Sequence, residues 1–97
     1  MRMMMRVMIP VEAGNAAAKD GSLATTIQQF IDTAKPEAAY FVADGGERTG
    51  YFFFDLNQPS DIPKIAEPFF ANLQAAIDVT PAMTIEDVRA GLRAVKT

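Results

Sequence analysis

The stretch YFFFDL, Tyr51 to Leu56, decides the fold. Side chains of an extended segment point alternately to opposite sides, so three consecutive phenylalanines make a strand apolar on both faces. An antiparallel sheet in a small domain normally buries one face under helices and leaves the other wet, so this strand demands a second cover. In a chain of 97 residues, that cover is expected to be another copy of the chain.

Composition agrees with this. The length suits one domain over residues 1–97, and 49% hydrophobic with 22% charged residues is ordinary for a globular protein. Domains this small bury a limited share of their surface and often gain stability by oligomerising. There is no cysteine, which excludes disulfides, a thiolate nucleophile and thiolate metal ligands. There is no histidine, which removes the commonest neutral-pH proton shuttle and metal ligand, so no metal and no cofactor are expected. A net charge of -3 argues against a nucleic-acid partner, because phosphate binding relies on clustered lysine and arginine. The opening MRMMMRVMIP resembles a signal peptide only briefly: Arg6 interrupts the apolar run, and Pro10 and Glu12 follow. It reads as a first strand, with no membrane partner and cytoplasmic residence as the expectation.

Outward from Tyr51, the remaining elements follow by period. Met3, Met5, Val7, Ile9 and Val11 alternate onto one face of the first strand, with Met4, Arg6 and Met8 on the other. Asn15 is a plausible N-cap for a helix carrying Leu23, Ile27, Phe30, Ile31 and Ala34, which Gly21 weakens and which could therefore begin near Ser22. Ala38 to Ala43 reads as a second strand, and DGGERTG as the hairpin leading into the third. A second helix carries Ile62, Ile65, Ala66, Phe69, Phe70 and Leu73, with Pro68 expected to kink or divide it. Ala75 to Met83 supplies a fourth strand. Thr84 and Asp87 then open a last helix with an apolar stripe of Ile85, Val88, Leu92 and Val95, closed by Arg93 and Lys96.

This order predicts an α+β, ferredoxin-like βαββαβ fold with an extra C-terminal helix. Its four-stranded antiparallel sheet has the order 4-1-3-2, with both main helices on one face. With its apolar free face, the pattern resembles the dimeric alpha-beta barrel superfamily, in which two such protomers pack sheet against sheet. PEAAYFVADGGERTGYFFFDL and AEPFFANLQAAIDVTPAMTIEDV in particular are similar to small, largely uncharacterised bacterial members. The resemblance implies a homodimer formed through the free sheet face. Relatives include muconolactone isomerases, cofactor-independent monooxygenases, YciI-like proteins and ligand-sensing regulatory domains, and fold alone does not choose among them. Without histidine, a YciI-like His/Asp arrangement is not carried over.

Strand parity assigns Arg6, Met8, Tyr40, Tyr51, Phe53, Asp55 and Asp78 to the free face. An apolar lining seeded with one arginine, two tyrosines and aspartates has the make-up of a pocket for a small organic, anionic ligand. In a second reading, Arg6 neighbours both Asp55 and Asp78 in an internal ion-pair network that fixes register or dimer geometry and needs no ligand. A third makes Asp55 and Asp78 an acid and base in a cofactor-free isomerase or monooxygenase, and a fourth makes the chain a purely structural dimerisation module. DGGERTG lacks the strand-to-helix setting of a phosphate loop, and the clustered methionines suit adaptable core and interface packing better than metal.

Overall fold

Eight elements follow in the order β1 (Arg2–Ile9), α1 (Val11–Asp20), α2 (Ser22–Ala34), β2 (Ala38–Asp44), β3 (Glu47–Asp55), α3 (Asp61–Leu73), β4 (Ala76–Pro81) and α4 (Ile85–Ala94). The structure, a computed structural model, describes residues 1–95, so the expected role of Lys96 lies outside the described residues.

The four strands form one antiparallel sheet ordered β2-β3-β1-β4, which counted from the opposite edge reads 4-1-3-2. β1 and β3 are central, and β2 and β4 are the edges. Sheet and helices together are compatible with a ferredoxin-like fold.

Alternation sorts the central strands. Met3, Met5, Val7 and Ile9 of β1 and Phe52 and Phe54 of β3 are buried beneath the helices, while Met4, Arg6, Met8, Tyr51 and Phe53 are half-exposed on the opposite face. The core is an aromatic cluster in which Phe30 of α2 stands 4.7 Å from Phe52 and 5.6 Å from Phe69 of α3, and meets Phe54 edge-on at 5.8 Å. Such offset and edge-to-face arrangements suit the ring quadrupoles. Thr26 is buried between α2 and α3, where its hydroxyl accepts a hydrogen bond from the Asn72 side-chain amide at 3.1 Å.

Local chemistry explains where the elements differ from expectation. β1 ends at Ile9 because Pro10 has no N–H for the ladder, while its fixed φ of -56° suits the residue that opens a helix. Val11 therefore begins α1 instead of extending the strand face, and is 49% exposed. Asn15 sits inside α1 rather than capping it, in an alanine-rich segment with strong helix propensity. Gly21, at φ 86°, divides the expected single helix into α1 and α2. The Asp20 carboxylate accepts the Ser22 N–H at 2.8 Å, and its hydrogen bonds to Ser22 hold it below the usual carboxylate range.

β3 starts four residues before Tyr51, at Glu47, because the hairpin needs only Gly45 and Gly46, at φ 60° and 81°. α3 runs through Pro68 without division. The missing N–H leaves the Lys64 carbonyl without its helical partner, but Lys64 is exposed and water can take that bond. β4 is shorter than expected at both ends.

α4 opens with a complete capping box: the Thr84 hydroxyl accepts the Asp87 N–H at 3.1 Å, and the Asp87 carboxylate accepts the Thr84 N–H at 2.9 Å. It packs extensively against no other element, and none of its residues is buried. The molecule accordingly measures 55 × 28 × 18 Å with a radius of gyration of 15.5 Å, against about 12.5 Å for a compact chain of this length. No described helix is long and apolar enough to cross a membrane.

Candidate functional site

The uncovered face carries the predicted residues in cross-strand rows. Tyr40, Tyr51, Arg6 and Asp78 lie directly side by side on β2, β3, β1 and β4. Within this row the Arg6 guanidinium donates to the Asp78 carboxylate at 2.8 Å. That bond, followed by an interaction with Tyr51, keeps the guanidinium pKa above its ordinary value. The Tyr51 hydroxyl in turn donates to Asp44 at 2.8 Å. Met8 and Thr49 occupy the next row beside Val42, and Phe53 and Met4 the row on the other side.

Asp55 does not join them. Its register partner is Arg2, four residues from Arg6 along β1, and its carboxylate pairs with the Met1 amino group at 2.6 Å. The expected contact between Arg6 and Asp55 is therefore absent. Asp55 and Asp78 are separated by about 13 Å along the strand direction alone, too far to share a proton as acid and base. The error came from parity, which fixes the face of a residue but not its row.

The helix side of the sheet holds a feature the sequence reading missed. Phe41, Gly50, Val7 and Ile77 form one cross-strand row facing the helices. Gly50 has no side chain, and the Phe52 ring lies over its backbone: a Cβ at position 50 would stand 2.8 Å from that ring. Beside it is a pocket of about 340 Å³, lined by Val7 and Phe41, roofed by Leu23 and Ile27 of α2 and bounded by Phe52 and Phe69.

At one end stands Arg48, which shares its row with Ile9 and Ala43. Its guanidinium donates to the Asn15 side-chain oxygen at 3.1 Å. That neutral partner positions the charge without neutralising it, whereas Arg6 is matched by a carboxylate. An apolar chamber with a single cation at its end can hold a small molecule that is hydrophobic along its body and anionic at one terminus. The signal was available in the sequence: carrying β3 parity back through Thr49 puts Gly50 and Arg48 on the same side as Phe52.

Among the described residues, no group of acidic side chains converges into a metal-binding set. Comparison with protein-family models and with curated proteins finds no match for this chain.

Proposed function

We propose that this protein is a homodimer, paired through its uncovered sheet face, that binds a small hydrophobic carboxylate or similar organic anion. The observation that carries the ligand reading is the helix-side pocket, whose volume of about 340 Å³ falls in the range of about 300–1,000 Å³ usual for ligand sites. Its lining is almost wholly apolar, with the Arg48 guanidinium as the polar anchor. Arg6, Tyr40, Tyr51 and Asp78 serve the other face, where the Arg6–Asp78 pair sets lateral register and presents a matched charge to the partner sheet. Met8 and Phe53 supply apolar contact area there. The dimer reading is supported by the size of that uncovered face, on which Tyr40 is 64% and Val42 46% exposed.

Titration with octanoate and with 1-octanol, followed by calorimetry, tests the ligand reading. Octanoate binds the intact chain saturably and more tightly than octanol. Arg48→Ala weakens octanoate by roughly 10-fold to 100-fold, the value of a charge-assisted hydrogen bond, and leaves octanol unchanged. Gly50→Ala displaces the Phe52 ring into the chamber and weakens both ligands. Equal octanoate affinity in the intact chain and in both variants would overturn the reading.

A further inference from the structure

The strongest unassigned feature is α4, an amphipathic helix whose apolar side, apart from half-buried Val88, is left exposed by the described residues of its own chain. Ile85, Leu92 and Val95 are 57%, 66% and 60% exposed, and Met83 in the connector is 71% exposed. Ten residues are too few for a stable helix in water, since isolated helices below ~12–15 residues are marginal, and a capping box contributes only about 1 kcal/mol. Its helicity calls for a packing partner. The connector does not favour folding back: Ala82 is pinned by its N–H to the Arg2 carbonyl at 3.1 Å, and only Met83 and Thr84 separate it from α4.

We infer that α4 is an exchanged arm, docking its apolar stripe on the uncovered sheet face of a second copy over Tyr40 and Val42. This rests on the proposed sheet-face dimer and adds to it an element that crosses between protomers. The interface area argues for it. Four strands spaced ~4.8 Å apart and about seven residues long give a face of roughly 440 Å². Two such faces total about 900 Å², below the roughly 1,200 Å² at which specific, stable interfaces begin. Two α4 stripes, each ~15 Å by ~10 Å, cover sheet surface already counted and raise the total to about 1,200 Å², where such interfaces begin.

Tyr40 and Val42 are the most exposed large apolar side chains of that face and lie on its margin at β2, where a helix can reach them without entering between the sheets. The exchange is reciprocal under two-fold symmetry: each copy gives one helix and receives one. Both uncovered apolar surfaces of the chain are then buried by one arrangement.

The chain has no cysteine, so engineered thiols report contacts cleanly. Chains carrying Leu92→Cys are mixed with chains carrying Val42→Cys under mild oxidant. A disulfide-linked pair of the two different chains is expected in preference to either like pair. In parallel, Leu92→Glu raises the dimer dissociation constant by roughly a hundredfold or more, since one leucine is lost from each of two symmetric contacts. Its far-UV circular dichroism keeps the signal of the sheet and of α1 to α3 and loses at most that of α4, because Leu92 is 66% exposed and supports no core of its own protomer. Phe53→Glu, on central strand β3 away from the Tyr40 and Val42 margin, reports on the sheet-face dimer independently. A dimer weakened by Phe53→Glu but not by Leu92→Glu, with no preferential cross-chain disulfide, overturns the exchange and leaves the dimer standing. A monomer up to about 1 mM chain overturns both.

Discussion

At Phe52 and Phe53, one peptide bond separates a side chain 1% exposed from one that stands half-buried on the uncovered face. Phe52 touches Phe30, Phe41 and Phe69, so Phe52→Ala leaves a cavity and costs about 3–5 kcal/mol, a large share of the roughly 5–15 kcal/mol that holds a small domain together. Phe53→Ala has no such cavity to leave within the protomer, and under the proposed sheet-face dimer its effect grows with chain concentration. Denaturant unfolding at two protein concentrations separates the two. This contrast was legible in YFFFDL because the two-residue period is rigid. Arg48 and Gly50 were not, because the glycines of DGGERTG drew the whole segment into the loop, when only Gly45 and Gly46 adopt turn geometry. The row of Asp55 was hidden for a different reason: pairing register depends on where each strand begins, which no single residue announces.

At the level of elements, the same logic separates what period reveals from what punctuation hides. The stripe of α2 and the Thr84–Asp87 start of α4 follow from local chemistry that acts within one turn. Gly21 marked the start of α2 near Ser22, where it lies, but the separate helix α1 before it and the undivided run of α3 through Pro68 depend on what surrounds the breaking residue and were not legible. For α4 the capping box also carries a pH signature. Hydrogen bonds from Thr84, the backbone one first, together with the nearby charge of Arg2, hold the Asp87 carboxyl below its ordinary range. Its contribution to the helix is therefore complete above the unfolded carboxyl value of about 3.9 and disappears as pH falls through the lower folded value. Amide chemical shifts of Thr84 and Asp87 followed from neutral pH to pH 2 should move together in that acidic window, and Asp87→Ala should abolish the shared transition.

On the scale of the whole molecule, the sequence disclosed a sheet with one covered and one open face. It did not disclose how far α4 stands clear, because detachment depends on absent contacts rather than on any motif. One further feature matters here: β2, an edge strand whose outer backbone groups meet no neighbouring strand, reads AAYFVAD, with no charge or proline before its last residue. Such an edge is a template for pairing with any other extended chain, and segments of this composition stack into cross-β fibrils. A net charge of only -3 offers little repulsion against that growth. Thioflavin T fluorescence should rise fastest near the isoelectric point of about 4.7, and Ala43→Lys, which puts a charge on the edge away from the proposed interface, should delay it several-fold. If a partner protomer covers this margin, assembly guards the cell against fibrils, and dilution rather than heat becomes the condition under which the protein is most at risk of aggregating.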